Sequence, residues 1–282
     1  MEFAVLVIKA TRPKQWIKNL LVAAAPVAAG QFGSQITNIS FGVIGFTAAS
    51  IIGYLINDWR DRESDQNHPK KKYRPFASGQ LKLPSLIIIL LVSSIILILT
   101  CVILPTKFTF TILVYLLITI SYTLLIKTLP VLEMIWLASG FLIRAIAGSA
   151  IIQETPTGWF VVAVGFGALF IVSAKRLAEL KNNHSNLTRT VISQYNENFL
   201  NQVLTTSVSI TLLTYSLWVF QVHPNSLLAQ FTILPLTLAI LLYSWHCENG
   251  DAESPETLIF EDKLIILSVL AVVIPLLFVI YQ

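Results

Sequence analysis

The chain has 282 residues, of which 55% are hydrophobic and only 12% are charged, and its formal net charge at pH 7 is +4. A mean hydropathy of +0.73 argues against a water-soluble globular protein. Its two cysteines, Cys101 and Cys247, lie alone in or beside separate apolar segments, which argues against both a disulfide framework and a thiolate metal site. The composition predicts an all-α membrane protein in a lipid bilayer, with no nucleic-acid partner.

Apolar runs of membrane-spanning length recur throughout the sequence and predict nine transmembrane helices. Their approximate bounds are 16–35, 38–56, 84–104, 107–126, 130–152, 157–176, 198–219, 226–246 and 262–281. Nothing in the sequence indicates a separate soluble domain, so residues 1–282 are predicted to form one transmembrane domain.

The basic residues predict the orientation in the membrane. Nearly all of the nineteen Lys and Arg residues fall at the N-terminal end and in alternate loops, and in the opposite loops only Lys107 is basic. By the positive-inside rule, the N-terminus and the long charged loops face the cytoplasm, and the C-terminus lies outside. We therefore predict a multi-pass protein of the cytoplasmic membrane whose active site faces the cytoplasm.

The stretch NDWRDRESD, at residues 57–65, concentrates acidic residues at the predicted cytoplasmic end of the second span. Asp58, Asp61 and Asp65 follow an i, i+3, i+7 spacing, so they share one helix face within about 60°. Three like charges repel each other there, and a divalent cation removes the conflict. Carboxylate oxygens favour Mg²⁺ or Mn²⁺ over zinc, and Asn57 flanks the same face as a neutral ligand. A solvated acidic cap beside arginines is the alternative.

A basic segment, KKKYRP at residues 70–75, directly follows these aspartates. Mg²⁺ usually completes its coordination shell with substrate phosphates, and lysine or arginine can hold the remaining phosphate oxygens. We assign Lys71 and Arg74 to binding of a phosphate-bearing substrate, and Lys70 to attraction by lipid headgroups.

Four further basic residues are candidates on weaker grounds. Arg12, Lys14 and Lys18 flank a tryptophan at the start of the first span, a pattern typical of an interfacial anchor that can also hold a lipid phosphate. Arg144 lies inside the fifth span, where a charge normally faces a polar cavity or a carboxylate. We predict that Arg144 belongs to the site and pairs with Glu133 or another acid; a purely structural ion pair is the alternative.

Five segments, spread in order over nearly the whole chain, resemble the UbiA superfamily of intramembrane prenyltransferases, and within it the decaprenyl-phosphate phosphoribosyltransferases. NDWRDRESD fits the superfamily motif NDxxDxxxD. The segments are RPKQWIKN (12–19), NDWRDRESDQNHPKKKYRPFASG (57–79), LIRAIAG (142–148), KRLAEL (175–180) and SPETLIFEDK (254–263). The resemblance implies a nine-helix UbiA-like bundle. It also implies transfer of 5-phosphoribose from phosphoribosyl pyrophosphate to a polyprenyl phosphate, which supplies the precursor of an arabinose donor for cell-wall assembly.

The sequence departs from the usual UbiA pattern after the sixth span. Typical members carry a second aspartate-rich motif there, whereas this chain has SAKRLAELKNN at residues 173–183. Lys175 and Arg176 place positive charge where a second metal set would lie, and Glu179 is the acidic residue of this segment. A donor with one diphosphate and one phosphate monoester suits one metal face and one basic face, so we assign all three to donor binding. The alternative is that Lys175 and Arg176 only help to set the orientation in the membrane, as basic residues of cytoplasmic loops usually do.

Two other functions stay open at this stage. A UbiA prenyltransferase that joins a prenyl diphosphate to an aromatic acceptor would use the same first motif, but the missing second motif argues against it. A transporter would show internal repeats with broken helices, which the sequence lacks. In the acidic loop at 248–262, Glu256 and Asp262 match family positions and suit a lid or a helix cap. The sequence leaves a homo-oligomer open.

Overall fold

The computed structural model describes residues 2–68, 71–181, 191–249 and 261–282, and within these ranges every regular element is a helix. The α-helices are α1 (Glu2–Thr11), α2 (Ala24–Ala28), α3 (Ile36–Arg60), α4 (Arg62–Gln66), α5 (Leu83–Ile103), α6 (Thr106–Leu124), α7 (Leu132–Ile152), α8 (Gly158–Lys181), α9 (Glu197–Val222), α10 (Leu227–Phe231), α11 (Ile233–Glu248) and α12 (Lys263–Ile280). Short 3-10 helices are Pro13–Ala23, Lys71–Tyr73, Ile126–Thr128 and Ile192–Gln194.

Eight helical spans in the described part of the chain are long and apolar enough to cross a membrane. They are α3, α5, α6, α7, α8, α9, α10 with α11, and α12. This confirms the predicted all-α membrane fold. The predicted number of nine is one too high for α-helices of this length, because the first predicted span has a different conformation.

That first span, predicted at 16–35, is a 3-10 helix, Pro13–Ala23, followed directly by α2. Pro26 has no N–H to donate to the carbonyl of Val22, and its ring disfavours a regular α-helix at this point. A 3-10 helix rises about 2.0 Å per residue against about 1.5 Å in an α-helix, so residues 13–28 extend over about 30 Å. This length matches the hydrocarbon core of a bilayer.

The same segment lies antiparallel to α3. Arg12, which precedes it, contacts Asp58 near the end of α3, and Asn19 donates to Thr47 at 3.1 Å in the middle of α3. The carbonyl oxygen of Val22 packs closely against α7, where a Cβ on Gly148 would lie 2.1 Å from it. Residues 13–28 are thus long enough for the additional crossing predicted from the sequence, and glycine at position 148 leaves room for their close approach to α7; the ninth crossing itself stays a prediction.

The chain divides into two compact units. The first comprises Met1–Pro26, Gln31–Ile126 and Ile143–Thr155. Its main core joins α3, α5, α6 and the second half of α7 around Phe46, whose ring meets Phe108 edge-on at 5.8 Å and Tyr115 at 5.3 Å. A second core, which includes Leu55 and Phe76, packs α1, α3 and the start of α5 together at the charged end of α3.

The second unit comprises Val27–Gly30, Lys127–Leu142 and Pro156–Gln282. Helices α8 and α9 form its most extensive helix pair, and α11 packs against both. Its core includes Leu177, Leu200 and Tyr243. The single domain over residues 1–282 stays a prediction.

Candidate functional site

The three aspartates of the NDWRDRESD stretch lie where α3 ends and α4 begins. Asp58 is in the last turn of α3, Asp61 lies between the helices, and Asp65 is in α4. The backbone hydrogen bonds from Asp61 to Asn57 (2.9 Å) and from Asp65 to Asp61 (2.8 Å) continue the helical spacing through the junction. Asp58 and Asp65 are only 3% and 4% exposed, so both carboxylates need compensating partners.

Two arginines supply that compensation. Nη1 of Arg74 donates to Oδ1 of Asp58 at 3.0 Å and to Oδ2 of Asp65 at 2.6 Å. Arg12 also donates to Oδ1 of Asp58, and its guanidinium lies 5.0 Å from the centroid of the Tyr54 ring. The structure thus brings together Arg12, Asp58, Asp65 and Arg74, which lie in three separate segments of the sequence.

The loop after the basic segment fixes Arg74 over the end of α3. Pro75, Phe76 and Ala77 are buried, and the ring of Phe76 meets Trp59 edge-on at 6.1 Å. Gly79 has a φ of +75°, a left-handed conformation that glycine adopts at little cost. The burial of this loop holds Arg74 beside the aspartates.

The aspartates also suit a divalent cation by their chemistry. Within the described residues, no group of three His, Cys, Asp or Glu side chains is arranged to hold a metal ion. Asp58 and Asp65 accept hydrogen bonds from arginine. Their oxygens nevertheless converge on a single cationic nitrogen, Nη1 of Arg74, at 3.0 and 2.6 Å. A pair of carboxylates that converges on one positive centre fits a hard cation that takes oxygen ligands. The metal site at Asp58, Asp61 and Asp65 stays a prediction.

The other basic candidates near this end have more varied surroundings. Lys71 is half-buried, and its backbone N–H donates to Nδ1 of His68 at 3.3 Å. Lys14 is exposed, and Lys18 donates to Gln15 within one turn of the same helix. Their roles in substrate binding, and that of the half-buried Asn57, stay predictions.

Arg144 is at the centre of a buried polar network inside the first unit. Its Nε donates to Oδ1 of Asn19 at 2.8 Å, and its Nη2 donates to the hydroxyl oxygens of Tyr115 (2.8 Å) and Ser50 (3.2 Å). Glu133, the acid named as a partner for Arg144, is the wrong one, because it binds a different arginine; the role of Arg144 in the site stays a prediction. The three neutral partners were not predicted, since single polar residues in apolar spans give no signal of which helices meet.

The partner of Glu133 is Arg176, in the second unit. Nε and Nη2 of Arg176 donate to the two oxygens of Glu133, both at 2.6 Å, and its Nη1 donates to Glu179 at 2.6 Å. Arg176 is 1% exposed and Glu133 is 0% exposed. Tyr195 donates to Glu133 at 3.3 Å and accepts from the N–H of Val131 at 2.8 Å. Burial raises the pKa of Tyr195 to about 12, which keeps its hydroxyl protonated as a donor.

These contacts change what is expected of Arg176. Its guanidinium is engaged by two carboxylates, and so it joins Glu133 in the first turn of α7 to Glu179 near the end of α8. The neighbouring Lys175 is half-buried, and the roles of Lys175, Arg176 and Glu179 in donor binding stay predictions.

The candidates before the last span are only partly described. Asp262 caps α12, accepting from the N–H groups of Leu264 (2.7 Å) and Ile265 (3.2 Å). Its other oxygen lies 2.8 Å from Nε2 of His246, and this hydrogen bond lowers the pKa of Asp262 below its usual value. The sequence left two roles open for Asp262, a lid or a helix cap, and the structure shows the helix cap. Glu256 and Lys70 lie outside the described residues.

The fold and the site together define a class of protein. It is a multi-pass helical membrane protein in which arginines neutralise a cluster of buried carboxylates at one end of a membrane span. The sequence profile of the UbiA prenyltransferase family matches residues 20–280. The chain therefore belongs to the UbiA prenyltransferase family.

Individual relatives agree with this membership. The decaprenyl-phosphate phosphoribosyltransferase of Corynebacterium glutamicum is 34% identical over 97% of this chain and 86% of its own. The enzyme of the same name from Mycobacterium tuberculosis is 33% identical over 94% of this chain and 91% of its own. The structure of a UbiA homolog from Archaeoglobus fulgidus bound to GPP and Mg²⁺ has a TM-score of 0.73 and 17% identity, and covers 98% of this chain and 99% of that chain. At this identity, the last comparison shows the fold alone.

The buried pair in the second unit yields a prediction about stability. Arg176→Ala should lower the free energy of unfolding by about 3–5 kcal/mol, because it leaves the buried carboxylate of Glu133 without its counter-ion. The double variant Glu133→Leu/Arg176→Met, which removes both charges, should recover most of that loss. Unfolding of the purified protein in detergent measures both.

Arg62→Ala is the matched control, because Arg62 pairs with Glu63, whose side chain is 81% exposed. It should cost less than about 1 kcal/mol. Equal losses for Arg176→Ala and Arg62→Ala, or a double variant no more stable than the single one, would contradict the buried pair.

Proposed function

We propose that this protein transfers 5-phosphoribose from phosphoribosyl pyrophosphate to a polyprenyl phosphate and releases pyrophosphate. The observation that carries the proposal is the identity of 33–34% to enzymes named decaprenyl-phosphate phosphoribosyltransferase, over more than nine-tenths of the chain. The carboxylate and guanidinium cluster at the end of α3 supports it, because such groups suit a donor that leaves as a diphosphate.

The reaction is a displacement at the anomeric carbon of the ribose. An oxygen of the lipid phosphate forms the new bond from one face while the bond to the pyrophosphate oxygen breaks on the other, so the configuration inverts. The nucleophile is already an anion near neutral pH, and no general base is required. Catalysis then depends on positioning and on stabilising the charge of the leaving group.

Each charged group of the cluster has a part in that stabilisation. Asp58, Asp61 and Asp65 would hold Mg²⁺, or Mn²⁺, which supplies positive charge to the departing pyrophosphate when bound. Arg74 and Arg12 would exchange their carboxylate partners for phosphate oxygens, and a guanidinium can bind these in a bidentate way.

Four further residues complete the proposed binding surfaces. Lys71 would add a contact to the diphosphate, and Lys175 would meet the phosphate monoester of the donor. Lys14 and Lys18, which lie in the first half of the 3-10 helix Pro13–Ala23, would hold the phosphate of the lipid. The polyprenyl tail would lie in the bilayer, where its apolar surface avoids water.

A radiochemical assay tests the proposal directly. Purified protein in detergent should form a labelled lipid from labelled phosphoribosyl pyrophosphate and polyprenyl phosphate, and should be inactive in excess chelator. Asp58→Asn and Asp65→Asn should each lower kcat by about a hundredfold or more, because each removes a charged ligand at nearly constant size.

Glu63→Gln is the control for these variants, because Glu63 lies in the same helix α4 but its side chain is 81% exposed. It should retain wild-type turnover. Prenylation of an aromatic acceptor such as 4-hydroxybenzoate by the wild-type protein, with no phosphoribosyl transfer, would replace the proposal with the conventional activity of UbiA enzymes. Full activity in chelator would refute the role of the metal.

We further propose that the aspartate cluster faces the cytoplasm of the cell, since the basic loops follow the positive-inside pattern. A cysteine at position 71 should then be protected from an impermeant thiol reagent in intact cells, and a cysteine at position 282 should be labelled. The reverse pattern would place the cluster outside and remove a cytosolic sugar phosphate as the donor. Membrane permeabilisation, which should expose both positions, is the control.

A further inference from the structure

The side chain of Arg144 joins four segments of the first unit. Arg144 lies in α7 and is 5% exposed, and its guanidinium donates to side chains of the 3-10 helix Pro13–Ala23, of α3 and of α6. The guanidinium also lies 4.6 Å from the centroid of the Tyr115 ring. A charge is costly to bury among neutral groups, and an ionisable residue inside a membrane span commonly has a function. This network is therefore the part of the first unit whose role we consider next to the aspartates.

Asn19 is the residue through which this network holds the 3-10 helix. It is 0% exposed. Its Oδ1 accepts from Nε of Arg144 at 2.8 Å and from the hydroxyl of Ser50 at 3.2 Å, and its Nδ2 donates to Oγ1 of Thr47 at 3.1 Å. Because hydrogen bonds require both a short distance and a good direction, these three bonds fix one position of Asn19 along α3.

The face of α3 that meets Asn19 continues to the aspartate cluster. Its residues are spaced three or four positions apart, so they lie on one side of the helix. They are Thr47, Ser50, Tyr54 and Asp58. Arg12 contacts the far end of this face, with its guanidinium 5.0 Å from the centroid of the Tyr54 ring and a hydrogen bond to Asp58. The same face of α3 therefore meets both Asn19 and Arg12.

The two segments also match in length between these contacts. The seven steps from Arg12 to Asn19 rise about 14 Å in 3-10 geometry. Along α3, Asp58 lies about 12 Å from Ser50 and about 16 Å from Thr47, and Asn19 bonds to both of these residues. The hydrogen bonds of Asn19 thus place Arg12 level with Asp58.

The backbone of Arg12 indicates that this position is imposed by its surroundings. Its φ of 54° and ψ of 64° are left-handed, a conformation that a residue with a side chain adopts only at a cost. Such strain persists where the surrounding structure fixes it, and it is concentrated at functional sites. The contact with Asp58 and the anchoring of Asn19 supply that constraint from both ends of the segment.

We infer that Arg144 is a positioning residue: acting through Asn19, it fixes the 3-10 helix along α3 and so holds Arg12 beside Asp58. The inference rests on the proposed function, in which Arg12 leaves Asp58 for the diphosphate as the cation takes the carboxylate. Arg12 and the cation compete for the same oxygens. Loosening Arg12 should therefore strengthen metal binding and weaken the hold on the diphosphate, whereas damage to the fold would weaken both.

Binding of Mn²⁺ to the purified protein, measured without substrates, tests the inference. Arg144→Lys keeps the charge but loses the guanidinium fork that holds Asn19. Thr47→Val removes the hydroxyl that accepts from Asn19, at nearly constant size. Arg144→Lys should tighten Mn²⁺ binding by about threefold to tenfold, and Thr47→Val by less, because Arg12 then competes less for the carboxylate. Arg12→Ala should tighten it by about tenfold, and adding Arg144→Lys should then change the affinity by less than about twofold.

Thr111→Val is the matched control, because Thr111 is buried in the same unit and its hydroxyl bonds within α6. It should leave the affinity for Mn²⁺ unchanged. Unchanged or weaker binding in both Arg144→Lys and Thr47→Val would overturn the inference, as would an equal gain in Thr111→Val or a gain that persists in full in the Arg12→Ala background. If Arg144→Lys cannot be purified, Thr47→Val alone and combined with Arg12→Ala makes the same test.

The kinetics of phosphoribosyl transfer distinguish positioning from direct contact with the substrate. Arg144→Lys should lower kcat/KM for the donor by about tenfold in the wild type, and hardly further in Arg12→Ala. Losses that add in the double variant would show that Arg144 meets the substrate itself, and would overturn the inference. If the wild type transfers no phosphoribose but the Mn²⁺ affinities change as expected, the proposed function is refuted and the positioning role stands. Transfer by the wild type, with Mn²⁺ affinities that do not change, would refute the positioning role alone.

Discussion

The bridge from Arg74 to Asp58 and Asp65 is the interaction on which the charged end of the first unit depends. Asp58 and Asp65 are almost fully buried and lie about two helical turns apart, so their carboxylates repel each other and lose hydration. A single guanidinium nitrogen at 3.0 and 2.6 Å from their oxygens offsets both costs. Because Arg74 is in the loop after α4 and Arg12 precedes the first crossing, the same contacts join segments that are distant in sequence.

This bridge also determines how the site can accept a substrate. A divalent cation and a guanidinium compete for the same carboxylate oxygens, so binding of one weakens binding of the other. A diphosphate changes the balance, because its oxygens offer the arginines new partners as the cation takes the carboxylates. We therefore expect the metal and the diphosphate to bind cooperatively, with a coupling that passes through Arg74.

Much of this arrangement follows from the sequence, and the misses have identifiable causes. Apolar runs predicted the spans, and the aspartate spacing predicted a shared face, because both depend on local periodicity. The 3-10 conformation of residues 13–23 was missed because apolar length predicts a span without distinguishing its type of helix, and the close approach of Gly148 to the Val22 carbonyl is a tertiary contact. The partner of Glu133 was assigned to the wrong arginine, since sequence distance does not reveal which helices pack together.

The second unit shows the same limit. Lys175 and Arg176 are adjacent in sequence, yet one is half-buried and the other is enclosed by Glu133 and Glu179. Charge pattern alone could not separate them, because a helix turns neighbouring side chains by about 100°.

Binding of Mn²⁺ to the purified protein, followed by electron paramagnetic resonance with and without pyrophosphate, tests the exchange of partners at Arg74 most directly. After correction for the manganese–pyrophosphate complex in solution, pyrophosphate should tighten binding of Mn²⁺ to the wild type by about tenfold. Arg74→Gln should bind Mn²⁺ more tightly than the wild type without pyrophosphate, and should gain less from adding it. Asp58→Asn should bind it weakly in both conditions. Mn²⁺ affinities that are the same in the wild type and Arg74→Gln, and insensitive to pyrophosphate, would contradict the account.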